Sequence, residues 1–243
     1  MKAIILAAGV ASRLRPLTDN LPKCLLKIGE KSLLERTIEN LLASGLDDIV
    51  MVTGFLESVI RRFMAERFPG LAVTYIHNER YETTNNIYSL WLAREAVAGH
   101  DIMLMDSDIL FEGPIIDALL SSPYDDCLAL TRHDLGEEEI KVIVDGDNRI
   151  TEISKTCEVE KAIGESLGIE KFSTPLVRRL FDELDGMMTR ENLVDVFYEM
   201  AFERIIRDGA HIYPVDITEF FSMELDTVAD FNHAVHSLPE QMR

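Results

Sequence analysis

Cysteine is scarce: Cys24, Cys127 and Cys157 are the only three in 243 residues. An odd count, with no close pair and no histidine at ligand spacing, supports neither a disulfide framework nor a zinc site. Long apolar runs are missing too, and none approaches the roughly 18–20 residues that span a bilayer. The opening MKAIILAAG puts one lysine before an apolar stretch, as a signal peptide does, but Arg13 and Arg15 follow almost at once. No stretch rich in Pro, Gly or Ser divides the chain, and no internal repeat is visible. Positive charge is in short supply: 24 Lys+Arg face 43 Asp+Glu, a formal charge of −19. Such an average field repels phosphates and speaks against nucleic acids and anionic membranes as partners. These absences point to a soluble, cytoplasmic protein; the expected assembly, on which they do not bear, is a monomer or homodimer.

What is present is a core. The chain is 47% hydrophobic, and 243 residues can bury one sizeable interior or two lobes sharing one. Apolar runs of strand length at 2–6, 48–53, 71–76 and 102–105 alternate with helix-period segments at 32–44, 57–67 and 85–97. Ser32 reads as a helix cap with Glu35 at capping-box spacing and Gly45 as the stop. Continuously apolar strands alternating with helices predict a Rossmann-like α/β fold, with a mostly parallel, mixed sheet covered on both faces. Ligands of such sheets bind beyond the carboxyl ends of the strands. After about residue 125 the pattern shifts to strands at 128–131, 140–144 and 149–154, helices at 174–183 and 193–207, a strand at 211–215 and a last helix from about 227. The expectation is one domain in two halves, 1–125 and 126–243, divided by this shift of pattern.

The segment after the first strand reads Ala7-Ala8-Gly9-Val10-Ala11-Ser12-Arg13-Leu14-Arg15-Pro16-Leu17-Thr18, then Pro22-Lys23. Small residues let a ligand lie against the backbone, whose N–H groups are natural phosphate donors. The dinucleotide glycine fingerprint and the Gly-Lys-Ser/Thr of a Walker loop are both absent, which disfavours hydride transfer and ordinary ATPases. Arg13 offers a fork for two phosphate oxygens and Lys23 a compact point charge. Taken singly, each would read as a surface cation; their combination favours a phosphate site.

Residues 3–26, AIILAAGVASRLRPLTDNLPKCLL, resemble the signature of the sugar-nucleotidyltransferase superfamily, L-A-A-G-x-G-x-R-x-x-P-x-T…P-K-x-L. The resemblance implies that the loop Leu6, Ala7, Ala8, Gly9, Ala11 and Ser12 wraps a nucleoside triphosphate. Arg13 would then bind the β- and γ-phosphates and Lys23 the α-phosphate. Ala11 departs from the pattern, which has a second glycine there. The change is harmless at negative φ; otherwise it alters the fit at the triphosphate.

Asp106 and Asp108 close an apolar strand with side chains on one face, and Glu224 and Asp226 form a second pair at the same spacing. Two carboxylates converging on phosphates suit Mg²⁺, which keeps few protein ligands. The superfamily carries metal-binding aspartates at positions resembling Asp108 and Asp226, with Asp106 and Glu224 as neighbours of the site. Helix caps and solvated turns are the plainer alternative for any one of them.

A narrower resemblance concerns the acceptor. Ile153-Ser154-Lys155 stands where many relatives grip the acceptor's phosphate with a lysine. Gly164-Glu165-Ser166-Leu167-Gly168-Ile169 is similar to a stretch of cytidylyltransferases acting on phosphocholine or 2-aminoethylphosphonate. Thr84–Leu90, with Asn85 and Ser89, is similar to a segment of bacterial phosphocholine cytidylyltransferases near the base. Amide side chains suit cytosine's amine and carbonyl; for Asn85 a helix N-cap is an equal reading. A zwitterionic acceptor needs a cation site of aromatic faces or carboxylates. Candidates are Tyr81, Tyr88, Trp91, Phe172, Tyr198, Phe221, Glu165 and Asp195, with Glu165 and Tyr198 taken as acceptor contacts. No histidine or serine has triad or elbow spacing, so hydrolases find no support.

The reaction implied is Mg²⁺-dependent transfer of CMP from CTP to a small phosphorylated or phosphonylated acceptor. The alternatives are a sugar-1-phosphate or inositol-1-phosphate nucleotidylyltransferase using CTP, UTP or dTTP, and a catalytically silent nucleotide-binding subunit. Residues 1–36 hold seven Lys/Arg against three acids, a net of +4, which leaves −23 on the other 207. The global charge thus conceals a local basic segment suited to a triphosphate.

Overall fold

Apolar runs become strands buried on both faces, and the alternation of side chains sends them to two separate cores. In the computed structural model, which describes residues 1–242, β1 (Lys2–Ala7) directs Ile4 and Leu6 into one core and Ala3, Ile5 and Ala7 into the other. The chain continues through a short ribbon, β2 (Lys27–Ile28) and β3 (Lys31–Ser32), into α1 (Leu33–Ala43), β4 (Ile49–Thr53), α2 (Glu57–Arg67) and β5 (Val73–His77). Next come α3 (Asn86–Leu92), α4 (Arg94–Val97), β6 (Ile102–Asp106), β7 (Ile109–Phe111) and α5 (Pro114–Ser121). The second half runs β8 (Cys127–Thr131), β9 (Lys141–Val144), β10 (Ile150–Ser154), β11 (Gly164–Phe172), α6 (Thr174–Thr189) and α7 (Glu199–Arg207). It ends with β12 (Tyr213–Asp216), β13 (Ser222–Glu224) and α8 (Val228–Ser237).

The main sheet is α/β and Rossmann-like, in the order β10-β9-β11-β6-β1-β4-β5, with β8 on β11 and β12 on β8. Strands β6, β1, β4 and β5 are parallel; the first three are almost continuously buried, as parallel strands covered on both faces are, while β5 at the sheet edge is only half-buried. The long β11 reverses the direction, running antiparallel to β6, β8 and β9. It serves three partners because its register slips between Ser166 and Glu170, around Gly168 at φ +77°. The parallel expectation therefore holds for the first half, and the second half is mixed. Helices α3, α6 and α7 cover one face, while α1, α2 and α5 cover the other. All three cysteines are buried and in no disulfide. No helix among the described residues is long and apolar enough to cross a membrane.

Local chemistry explains most boundaries. Ser32 Oγ accepts from Glu35 N at 3.2 Å, but the Glu35 carboxylate turns to Arg67 Nε at 2.6 Å instead of closing a capping box. The helix expected over 85–97 divides at Ala93. That over 174–183 extends to Thr189, and that over 193–207 begins only at Glu199. Residues 193–198 are pulled from helical form by α3: Asn85 N donates to Val194 O at 2.9 Å, and Tyr198 N donates to Asn86 Oδ1 at 3.0 Å. The ribbon of β7 with β13, and helix α5, carry too little pattern to be read from sequence.

Candidate active site

A cleft of about 780 Å³ opens beyond the carboxyl ends of β1 and β6, lined by Leu6, Ala7, Ala8, Gly9, Ala11, Arg13, Lys23, Asn85, Ser89, Asp106, Asp108, Lys155, Glu165 and Asp226. Of the sixteen site residues expected from sequence these are fourteen; Ser12 sits in a shallower depression adjoining the cleft, and Tyr198 does not reach it. The glycine loop leaves β1 with room in front of it, since a Cβ on Gly9 would meet no atom within 4 Å. Gly54, on the neighbouring loop, has no such freedom: a Cβ there would stand 2.8 Å from Ala8 O. Ala11 adopts φ 51°, ψ 52°, the left-handed region. The harmless case for its departure from glycine, negative φ, is therefore not realised. Its carbonyl is pinned by Thr18 Oγ1 at 2.9 Å and Leu14 N at 3.1 Å. That holds the turn, so this alanine bears backbone strain where glycine would bear none.

Lys23 lies at the centre of the site. Its Nζ donates to Asp108 Oδ2 and to Asp226 Oδ1, both at 2.7 Å, while Arg13 Nη2 reaches Asp226 Oδ2 at 2.5 Å. Burial alone would lower the Lys23 pKa, but the two carboxylates overcome it and hold the ammonium above the ordinary lysine range. Asp226 falls below the usual carboxylate range, because Lys23 and then Arg13 outweigh its burial. Glu224 joins them across the β7–β13 ribbon, where it pairs with Ile109, and Leu225 N donates to Asp108 O at 3.1 Å. Burial, then Asp108 and Asp226, push the Glu224 carboxyl up to about 8.

Oxygens of Asp108, Glu224 and Asp226 lie within 4.8 Å of one another, and buried Asp108 Oδ1 has no hydrogen-bond partner. An all-carboxylate set with an orphaned oxygen fits a hard divalent cation. Asp106, expected beside Asp108, is not part of this trio. Its Oδ2 accepts from Tyr198 Oη at 3.0 Å, and burial raises its carboxyl well above the usual range, reinforced by Asp108 and Glu199. Gly168 is obligatory opposite it, for φ is +77° and a Cβ would stand 2.9 Å from Asp106 Oδ2.

Asn85, expected near the base, is an N-cap, its Oδ1 accepting from Asn86 N at 2.8 Å, and it also lines the cleft. Ser89 Oγ receives Asn78 Nδ2 at 3.1 Å. Asn78 was not read from sequence, although a polar residue just past the carboxyl end of β5 was the signal.

Lys155, expected at the acceptor's phosphate, pairs with Glu138 at 3.1 Å and lies 4.8 Å from the Phe197 ring centroid. Its backbone is fixed by buried Lys141, whose Nζ donates to Lys155 O at 2.7 Å. Glu165 meets His133 Nε2 at 2.7 Å, and burial still holds its carboxyl above the ordinary range. Tyr198 corrects the expectation of an acceptor contact. It is wholly buried, and its hydroxyl serves Asp106 and Glu170 behind the cleft wall. The exposed ring is its neighbour Phe197, and the carboxylate that lines the cleft is Glu199. Of the other aromatic candidates Tyr81 lines the cleft, whereas Tyr88, Trp91, Phe172 and Phe221 pack into or against cores; Asp195 lines the adjoining depression.

A glycine loop with an arginine and a lysine, facing a carboxylate trio at the carboxyl end of a parallel sheet, defines a nucleotide-handling α/β protein. Residues 2–122 match the nucleotidyl transferase family, and the chain belongs to that superfamily. It is 29% identical over 231 residues to choline-phosphate cytidylyltransferase of Streptococcus pneumoniae, covering 95% of each chain. It is 26% identical over 235 residues to 2-aminoethylphosphonate cytidylyltransferase of Lancefieldella rimae, covering 95% of this chain and 92% of that one. The solved CTP:phosphocholine cytidylyltransferase of S. pneumoniae superposes with a TM-score of 0.80 at 25% identity, over 98% of this chain and 99% of that one.

Proposed function

We propose that the protein transfers CMP from CTP to a small acceptor carrying a phosphate or phosphonate and a cationic head, releasing pyrophosphate. The observation that carries this is Lys23, held between Asp108 and Asp226 at the edge of the glycine loop. An acceptor oxygen attacks the α-phosphorus of CTP; the new P–O bond forms as the bond to the β-phosphate breaks, and the electron pair leaves with pyrophosphate. The attacking oxygen is already anionic near neutral pH, so no general base is needed. The protein's contribution is alignment and charge neutralisation.

In this reading Lys23 exchanges a carboxylate for the α-phosphate, and Arg13 turns from Asp226 to the leaving pyrophosphate. Lys155 gives up exposed Glu138 for the acceptor's anion. Asp108 and Asp226, with Glu224 beside them, would hold Mg²⁺, which supplies charge neutralisation at the phosphates. The likeness to cytidylyltransferases supports CTP, and the acidic acceptor end supports a cationic head.

Pyrophosphate release tests the reading when CTP, UTP, dTTP, ATP and GTP are crossed with phosphocholine, 2-aminoethylphosphonate, inositol 1-phosphate and hexose 1-phosphates, with and without Mg²⁺. The expected result is CTP preference with a zwitterionic acceptor and dependence on the metal. Preference for another nucleotide, or for a sugar phosphate, would overturn it.

A further inference from the structure

Glu199 opens α7 in the wall of the cleft, is only 6% exposed, and its Oε2 has no hydrogen-bond partner. A buried carboxylate oxygen without a donor is costly, and a ligand N–H would relieve it. Lys155, the cation assigned above to the acceptor's anion, lies within Coulombic reach of Glu199. A positive and a negative group thus stand together at one end of the cleft, complementary to a short zwitterion. Aromatic surface there is sparse. Adjacent Tyr198 is wholly buried, and the face of Phe197, which does line the cleft, is already taken by Lys155. Tyr81 belongs to the nucleotide side, against Phe55 and His77. Quaternary ammonium groups have no N–H and depend on aromatic cages.

Resting on the cytidylyltransferase reading, we propose that Glu199 is an acceptor-binding residue selecting an ammonium head that bears at least one N–H, as in aminoalkyl phosphates and phosphonates, over a trimethylammonium head. Of the other carboxylates at this end, Asp106 already accepts from Tyr198, Glu165 meets His133, Glu138 pairs with Lys155 and Glu139 accepts from Gly136 N, while Glu170 lies out of the cleft. Glu199 is therefore the carboxylate left to meet the head directly.

The test measures kcat/KM for pyrophosphate release from CTP and Mg²⁺ with phosphoethanolamine, its N-methyl and N,N-dimethyl derivatives, phosphocholine and 2-aminoethylphosphonate. The expected profile declines gently over the first two methyl groups. It then drops about 10- to 100-fold at the third, where the last N–H, and its hydrogen bond to a charged group, is lost. Glu199→Gln should lower kcat/KM for the primary ammonium about tenfold and flatten the series, with the KM for CTP unchanged. A flat wild-type profile, or phosphocholine as the best acceptor, overturns the inference and leaves the cytidylyltransferase reading standing. Turnover confined to sugar phosphates overturns both. The wild-type series decides the matter even if the variant fails to fold.

Discussion

Ala11 shows what a single backbone angle can demand. Holding alanine at φ 51° costs about 1–2 kcal/mol, and glycine's looser unfolded chain returns about 0.4–1 kcal/mol of that. Ala11→Gly should therefore stabilise the protein by about 0.5 kcal/mol or more in urea unfolding; a lower midpoint would contradict the strain. Lys23 and Asp108 carry the site's electrostatics. Lys23→Ala or Asp108→Ala should lower kcat/KM by at least ~100-fold, the scale of losing one principal electrostatic stabiliser. Near-normal turnover in either variant would refute their roles. Glu199 adds a pH dependence. Burial raises its carboxyl from 4.5 to about 7, so the folded state binds its proton more tightly than the unfolded one. Its contribution to stability is most favourable below pH 4.5 and is lost as pH rises towards and through 7. Glu199→Gln escapes that loss. At pH 8 it should be more stable than wild type by about 2–4 kcal/mol, shrinking towards zero near pH 4.5, as followed by chemical denaturation. A pH-independent difference would mean the carboxyl is not protonated in the fold.

At the scale of elements, the β7–β13 ribbon matters most, because three-residue strands bring Glu224 and Asp226 to Asp108 across more than a hundred residues of chain. Leu225, between the two acids, is fully buried with Leu110, Ile28, Leu33, Ala234 and Leu238. Leu225→Ala should cost about 2–5 kcal/mol of stability and raise the Mg²⁺ concentration needed for half-maximal pyrophosphate release. Unchanged metal dependence in a folded variant would show that the ribbon does not set the carboxylates. Neither strand was legible in sequence, since a three-residue strand gives no period to read. The glycine loop was legible because its residue types are needed in a fixed order. Asn85 was legible twice over, as helix cap and as cleft residue. The phase of α7 was missed because Asn86 and Asn85 tie residues 194 and 198 to α3, a contact that no local pattern announces. Tyr198 was read as a cleft residue for its aromatic ring alone, and its burial behind the cleft beside Glu199 is visible only in the packed fold.

At the scale of the molecule, charge is distributed by function. The basic first 36 residues supply Arg13 and Lys23, whereas the acidic remainder supplies the trio and the acceptor wall. Nucleotide binding should therefore stabilise the whole fold. CTP with Mg²⁺ at about 100 times its dissociation constant adds about 2.7 kcal/mol, a rise in Tm of about 5–10 °C. No shift with CTP, beside a clear one with UTP, would redirect the nucleotide assignment. The sequence by itself determined the α/β class, the glycine loop with Arg13 and Lys23, and the carboxylates Asp108 and Asp226. Apolar periodicity and ordered small residues act locally and leave their mark in the string. Only the tertiary structure decided that Glu224 completes the trio, that Ala11 is left-handed, and that Glu199 rather than Tyr198 lines the cleft. Each depends on a contact between segments far apart in the chain, where packing and hydrogen bonding override local preference.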